Sequence, residues 1–600
     1  MHSSPAAAEP DRAGESEPSA GPGLVSPGQA ANVRPSEAAG RDAAGRDAAN
    51  VPQSEAAGRD TAGRDARRAA GPRARRGGAG HGWAGLPLWG SVPTAVLAGL
   101  TLMAAFPPVG IWPLAMVGPA IFVLAIWGRG YRATLLLGVL CGAAFYLPLL
   151  AWLVNIAWYA WLALAIAESL IFGVLALLLR PLLRLRAWPL AVAGWWVTQE
   201  AVHDRWPWGG FPWGRLAMSQ PSGPAAGWSA IVGLPALSFL LALVGGCLAY
   251  LAVTLLSRPD LRRALGAAAA AVLAAGLALA GNLAWRWTPG PGPTAIVATI
   301  QGNVPHTRSL PNLLRAATVT QNHADATFAL AARVHAGQVP APNLVIWPEN
   351  STDIDPRYSP ITYQTIAAAV AVINRPVLVG AVLQNPVRNA GQLWLPGRGP
   401  TQVYIKRRLV PFGEYIPMRG LLETFTSLPK LQPHNFTPGH RAVVFRVGKI
   451  RLGDVICYEV GFDNLVRSEV TAGANLLAVQ TNDAGYELDW QTGETLQQLA
   501  MSRMDAISTG RAVAVASTTG ISAIIDPNGR VLVHSRIWQR AELEARVPLV
   551  AALTPADRIG DLPEQVLVAV TLLALAWSVA AGWRVRRSRP GGPAGRTMVG

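Results

Sequence analysis

The chain has 600 residues, a hydrophobic fraction of 51%, only 14% charged residues and a positive mean hydropathy. That balance argues against an ordinary water-soluble enzyme and for a membrane chain carrying something else. The formal net charge of +16 does not call for nucleic acid, because the arginines cluster beside apolar runs, as they do at a lipid surface.

Residues 1–84 are rich in Ala, Gly, Pro, Ser, Arg and Asp, and "SEAAGRDAAGRDA" at 36 is nearly repeated at 54. Such a segment cannot bury enough apolar surface to offset its ordering entropy, so a disordered tail is expected there. From 85 to 286 long apolar runs alternate with short polar breaks. The candidate spans are 88–106, 109–127, 133–154, 156–179, 187–203, 229–256 and 264–283, with an eighth at 563–583. Most approach the roughly 20 residues that cross a bilayer. The fifth is the weakest, since it carries Gln199 and Glu200 and runs into a Trp-rich loop. Arginines precede span one and follow spans two, four, six and eight, whereas the breaks after spans one and three hold no Arg or Lys. An even-numbered bundle with both termini in the cytoplasm satisfies the positive-inside rule. That parity sends the segment between spans seven and eight, and the loop 203–220, to the other side of a plasma membrane. A basic cytoplasmic tail, 586–600, closes the chain.

Residues 287–555 change character. Short β-rich runs such as "TAIVATIQGN", "NLVIWPEN", "TQVYIK", "RLGDVICYE" and "NLLAVQTND" alternate with helical stretches at 318–334 and 493–512, and "DPNGR" signals a hairpin. One α/β domain is expected, with the last span at 556–585 behind it.

Three of these runs end in a reactive side chain: Glu349 after "NLVIWP", Lys406 after "TQVYI" and Cys457 after "RLGDVI". Strand ends in α/β folds are where side chains converge on a cleft. Only three of the 51 basic residues are lysines, so a compact ammonium at 406, beside Arg407 and Arg408, stands out. Three cysteines, two of them (Cys141 and Cys247) inside apolar runs, make no disulfide framework, and no CxxC or HExxH spacing suggests a metal. Taken singly, Cys457 reads as a buried structural thiol, Glu349 as a loop charge and Lys406 as a surface survivor. Together they supply a nucleophile, a carboxylate base whose pKa burial beside Trp347 would raise, and an ammonium for an oxyanion.

The strings "WPE", "YIKRRLVPFGEY" and "GDVICYE" resemble the carbon–nitrogen hydrolase (nitrilase) superfamily. Seven spans before such a domain and one after it resemble the apolipoprotein N-acyltransferase family, over about 85–585. The resemblance implies an α-β-β-α sandwich of nitrilase type outside the cytoplasm, attached to a polytopic helical bundle. It makes Glu349 the general base, Cys457 the nucleophile and Lys406 the oxyanion stabiliser, with Glu414, Tyr458 and Glu459 in supporting or substrate-binding roles. It implies no cofactor or metal, a phospholipid acyl donor, a diacylglyceryl-cysteine apolipoprotein acceptor and a thioester acyl-enzyme between two half-reactions, in a monomer of the cell membrane. One departure stands out: after "QGN" (301–303), where family members often carry a tryptophan near the cleft, this chain has "VPHTRSLPN".

Other readings remain open on the residues alone. A membrane-anchored amidase or nitrilase would pass the acyl group to water, and a lipid-binding scaffold would use no chemistry. Glu168, inside a predicted span, reads as an interhelical hydrogen-bond partner, and Glu200 as a support for the external loop. Trp206, Trp208, Phe211 and Trp213 read as interface anchors or as a rim to the site.

Overall fold

The structure, a computed structural model, describes residues 83–587 apart from 289, 306–310, 425, 428–429, 431–433 and 486–491. The tail expected over 1–84 (all but its last two residues), the basic end beyond 587 and most of the divergent segment after "QGN" lie outside the described residues.

Each apolar run becomes one helix: α1 Leu88–Ala104, α2 Leu114–Ile126, α3 Tyr131–Leu149, α4 Trp158–Leu182, α5 Trp188–His203, α6 Trp228–Leu256, α7 Leu261–Leu279 and the C-terminal helix Leu562–Arg587. Five of them (α3, α4, α6, α7 and the C-terminal helix) are long and apolar enough to cross a membrane; α1, α2 and α5 are shorter. Packing relies on close backbone approach, as it does where lipid tails offer no hydrophobic contrast. A Cβ on Gly142 of α3 would stand 2.8 Å from Ser169 Cα of α4, and one on Gly194 of α5 would stand 2.2 Å from Thr571 Oγ1 of the C-terminal helix. Helix α6 is broken at Gly233, whose φ of +83° leaves the helical region.

The α/β domain holds two six-stranded sheets. The first runs β12-β1-β2-β3-β4-β5 and the second β11-β10-β9-β8-β7-β6. The strands are β1 Thr294–Gln301, β2 Leu344–Ile346, β3 Val377–Leu383, β4 Arg388–Leu395, β5 Gly399–Ile405, β6 Val444–Val447, β7 Ile450–Ile456, β8 Leu476–Thr481, β9 Val513–Ser517, β10 Ala523–Ile525, β11 Val531–His534 and β12 Ala541–Pro548. Each sheet has a parallel centre, β1-β2-β3 and β7-β8-β9, flanked by antiparallel strands. The two sheets enclose an apolar layer that includes Val297, Ile346, Leu378, Leu452, Ile456 and Ala514. The helices Asn312–His335 and Pro360–Ile373 cover the outer face of the first sheet. The helices Asp463–Thr471 and Gly493–Thr509 cover the second, and their core runs without a break into the bundle. The result is the expected α-β-β-α sandwich, with one helical layer seated on membrane helices.

Bonds across that seat sort the connections by end. Gln497 Nε2 donates to Pro107 O (3.1 Å) and Leu149 O (3.0 Å), Tyr458 Oη donates to Gly210 O (2.5 Å), and Trp287 N donates to Asn528 Oδ1 (2.9 Å). The connections after α1, α3, α5 and α7 therefore all abut the sandwich. Those after α2, α4 and α6 gather at the opposite end. There Arg180 bonds Arg129 O, Trp83 N donates to Ser257 Oγ (2.9 Å), and Ser578 Oγ of the C-terminal helix donates to Pro181 O (2.5 Å).

Candidate active site

Glu349, Lys406 and Cys457 each follow a strand and lie just past its last residue: Ile346 of β2, Ile405 of β5 and Ile456 of β7. Lys406 is 1% exposed, yet its ammonium is satisfied, donating to Glu349 Oε1 and to Glu414 Oε1 at 3.0 Å each. Asn389 of β4 ties the two carboxylates together, its Nδ2 donating to Glu349 Oε1 (2.6 Å) and Glu414 Oε1 (2.9 Å). The second oxygen of Glu349 accepts Asn482 N–H (3.0 Å), and that of Glu414 accepts Val410 N–H (2.8 Å). Two carboxylates thus face one ammonium, held by donors that fix their positions before any substrate arrives.

Burial pushes the Glu349 carboxyl up; Lys406 pulls it back and Glu414 pushes it up again, for a net rise. Burial pulls the Lys406 ammonium down, but Glu349 and Glu414 more than offset that, so it stays charged. Burial also holds the Cys457 thiol well above its ordinary value, with Glu349 adding to the rise and Lys406 opposing it. At rest the sulfur is a thiol, and attack needs a base beside it.

Cys457 opens a 3-10 turn, Cys457–Gly461, with φ of +51°. A non-glycine residue in that region is uncommon and persists where surrounding structure dictates it. Glu459 does the dictating. Its Oε2 accepts Ile456 N–H (2.8 Å), its Oε1 accepts Arg407 N–H (2.7 Å) and Arg408 N–H (3.0 Å), and Tyr404 Oη donates to both oxygens. One buried carboxylate therefore ties the backbone beside Cys457 to the backbone beside Lys406. Tyr458 points the other way, into the seat on the bundle. Its ring stacks on Trp213 (5.6 Å, 13°) and Phe211 (6.1 Å, 28°) while its hydroxyl bonds Gly210 O.

Two loop aromatics, Phe211 and Trp213, thus pack against the turn that Cys457 opens, whereas Trp206 and Trp208 are exposed. Glu200 Oε1 accepts Leu216 N–H (2.8 Å), supporting that loop as expected, and Glu168 of α4 pairs with His203 at the end of the next helix, α5, an interhelical partner. The expected role of Trp347 does not hold. Its ring lies in the layer beneath the covering helices, with Nε1 donating to Thr327 Oγ1 (2.9 Å), so the environment of Glu349 is made by Lys406, Asn389, Glu414 and Asn482 instead.

Sequence reasoning missed Asn389, because β4 was not recognised in "NPVRNAGQLWLP", and it missed Gln498. The latter sits on the helix Gly493–Thr509, its Nε2 3.6 Å from Cys457 Sγ.

Comparison with known proteins now adds its weight. Residues 98–247 match the apolipoprotein N-acyltransferase N-terminal domain, and 296–552 match the carbon-nitrogen hydrolase family. The apolipoprotein N-acyltransferase of Mycolicibacterium smegmatis is 36% identical over 82% of this chain and 87% of its own. That of Azotobacter vinelandii is 30% identical over 85% and 98%. The chain belongs to the apolipoprotein N-acyltransferase family. An amidase from Nesterenkonia sp. AN1 is similar over 46% of this chain and 96% of its own, at 17% identity and a TM-score of 0.33. In this family member the sandwich is the catalytic domain, and the enzyme is an acyltransferase built on a carbon–nitrogen hydrolase scaffold.

Proposed function

We propose that this acyltransferase moves an acyl chain from a phospholipid to the α-amine of a diacylglyceryl-cysteine at a lipoprotein N-terminus, through a thioester on Cys457. What supports the reading is one observation: Glu349, Lys406 and Cys457 are all buried, with the carboxylate and ammonium 3.0 Å apart and both near enough to the thiol for their charges to act on it. As the sulfur attacks the ester carbonyl, its proton passes to Glu349. Charge developing on the carbonyl oxygen faces the Lys406 ammonium and the backbone N–H groups that follow Cys457. The lyso-phospholipid alkoxide leaves with the proton from Glu349. In the second half-reaction the acceptor amine attacks the thioester, its proton passes to Glu349, and the C–S bond breaks to give the amide. Throughout, the Lys406 ammonium keeps its second bond, to Glu414, which supports its charge while Glu349 gains and loses its proton.

The arrangement of ends favours a catalytic domain outside the cytoplasm and both termini inside. Arg129, Arg184, Arg186 and Arg258 lie in the connections after α2, α4 and α6, and Arg132, Arg180, Arg262 and Arg263 in the helix turns that adjoin them, remote from the sandwich, as the positive-inside rule requires. Substrates with acyl chains reach a pocket seated at this height without leaving the bilayer, which would cost about 0.8 kcal/mol per CH₂ exposed.

The test is covalent. Incubated with acyl-labelled phospholipid, the wild-type chain should carry label on Cys457 that hydroxylamine releases and that a diacylglyceryl-cysteine peptide takes up as an amide. The Cys457→Ala variant should carry none, with turnover down by about 10⁴ or more. Label retained in that variant, or released only as free fatty acid in the presence of the peptide, would overturn the proposal.

A further inference from the structure

A second polar chain, separate from the Glu349–Lys406 pair, reaches the sulfur. Glu494 and Gln498 lie four residues apart on the helix Gly493–Thr509 and so share a face. The Gln498 amide nitrogen has two hydrogens: one points to Cys457 Sγ at 3.6 Å, the other to Glu494 Oε1. Glu494 is in turn hydrogen-bonded to Asp483. Asp483 accepts from Thr481 Oγ1 (2.8 Å), Ser517 Oγ (2.5 Å) and Thr495 Oγ1 (3.5 Å), and a Cβ on Gly520 would stand 2.0 Å from its Oδ2, so only glycine fits there. Gln498 is 2% exposed, Glu494 1% and Asp483 0%. Gln498 Oε1 has no hydrogen-bond partner among the described residues, so only the two bonds of its nitrogen decide which way the amide faces.

We infer that Gln498 is a further catalytic residue, donating a hydrogen bond to the Cys457 sulfur whenever that atom carries charge, and that Glu494 and Asp483 are positioning residues that keep its N–H, not its carbonyl, toward the sulfur. The inference rests on the acyl-relay reading above. It gives that relay something the Glu349–Lys406 side lacks. When the tetrahedral intermediate of the second half-reaction collapses, the C–S electron pair returns to sulfur, and an aimed N–H receives it. Without Glu494 as acceptor the amide is free to turn over, which would set a carbonyl oxygen against a thiolate.

The test uses the full-length protein in nanodiscs of phosphatidylethanolamine and phosphatidylglycerol. It reads the pH dependence of iodoacetamide alkylation at Cys457 by peptide mass spectrometry, and the rate of acyl-enzyme formation from labelled phospholipid. The charged groups whose fields reach the sulfur are Glu349, Lys406, Glu494 and Asp483. Loss of a hydrogen bond to a charged atom slows acylation about 10- to 100-fold, which corresponds to a rise of about one to two units in the alkylation midpoint; Q498L should show both. E494Q and E494L both make position 494 permanently neutral, but only E494L removes the acceptor. E494L should therefore titrate about a unit above E494Q and acylate more slowly, and this pair decides the matter if Q498L does not fold. A Q498L variant with the wild-type profile, or equal midpoints in the Glu494 pair, overturns the inference. A wild-type chain that never acylates Cys457 overturns the reading beneath it as well.

Discussion

In the bundle, buried polar groups are matched to partners. Glu168 is hydrogen-bonded to His203, and Arg215 reaches both Asp204 on its own loop and Asp463 on the catalytic domain, at 2.9 Å to the latter. In the catalytic domain, carboxyls crowd around too few cations. Glu349 and Glu414 share Lys406, Asp483 is bonded to Glu494, and Asp454 is buried with neither oxygen partnered among the described residues. The first arrangement neutralises and holds: it costs desolvation but resists removal of either partner. The second keeps protons in play close to the sulfur, as a site that must take and return one requires. Substitutions that change the balance on either side test the contrast.

After loss of the nucleophile, the largest effect is expected from Lys406→Met, which keeps the side chain's length and removes its charge. Lys406 pulls the Glu349 carboxyl down while burial and Glu414 push it up, so without the cation Glu349 holds its proton to higher pH. Acyl-enzyme formation should fall about 10³-fold at pH 7, and the residual rate should climb with pH as Glu349 ionises. A flat pH profile at wild-type rate would mean that the ammonium plays no part. On the bundle side, Arg215→Met removes the cation that Asp204 and Asp463 share, leaving Asp463 only its looser contact with Arg467 at 3.9 Å. A loss of about 3–5 kcal/mol is expected, visible as a lower melting temperature in detergent, while the fraction that remains folded still acylates Cys457.

Asp454 offers a smaller effect with a defined sign. It lies under Gly391 of β4, where a Cβ would stand 2.0 Å from its Oδ2, and burial lifts its carboxyl well above the ordinary value of 3.8. Above pH 4 the unfolded chain ionises this group and the folded chain does not, so stability declines as pH rises, by about 1.4 kcal/mol per unit until the folded group titrates. The amide of Asp454→Asn has no proton to lose. The variant should melt higher than wild type at pH 8 and about level with it at pH 4.5. The same ordering at both pH values would show that Asp454 is not held neutral.

How far the sequence revealed this site follows from what kind of signal each part leaves. Glu349, Lys406 and Cys457 were legible because an aliphatic run that stops at a charged or nucleophilic residue is visible without knowing the fold. The helices of the bundle were legible for the same reason: each of the eight apolar runs is a helix, five of them long and apolar enough to cross a membrane, with ends misjudged by a few residues, as where Pro107 follows α1 and Pro113 precedes α2. Asn389 left no such trace. Its strand opens on polar residues and contains Gly391, so it lacks the aliphatic density that marked its neighbours, and its contact with Glu349 exists only once β4 lies between β3 and β5. β12, "AELEARVP", escaped because charged residues alternate along an edge strand. Gln498 was hidden on an amphipathic helix among residues that all read as packing. Trp347 misled because proximity in sequence was taken for proximity in space, whereas Pro348 turns the chain and leaves the ring on the far face of the sheet.

Tyr458 separates the two regions most finely, since it adjoins the nucleophile in sequence yet spends its side chain on the bundle. Its hydroxyl donates one hydrogen bond, to Gly210 O, from a ring stacked on Trp213 and Phe211 and set edge-on to Phe462 at 5.1 Å. Tyr458→Phe keeps every ring contact and removes only the hydroxyl. The Gly210 carbonyl then loses a neutral donor in a buried seat, worth about 1 kcal/mol, and the melting temperature should fall by a few degrees at most. The turn itself is held by Glu459, which the substitution leaves untouched, so acylation of Cys457 should stay within about threefold of wild type, a rate change equivalent to less than 1 kcal/mol. Tyr458→Ala should do more, because the loop 203–220 loses the ring on which its two aromatics stack. If instead Tyr458→Phe stops acylation in a protein that melts like the wild type, the hydroxyl serves the reacting atoms, and the division between a holding seat and a reacting pocket fails at this residue.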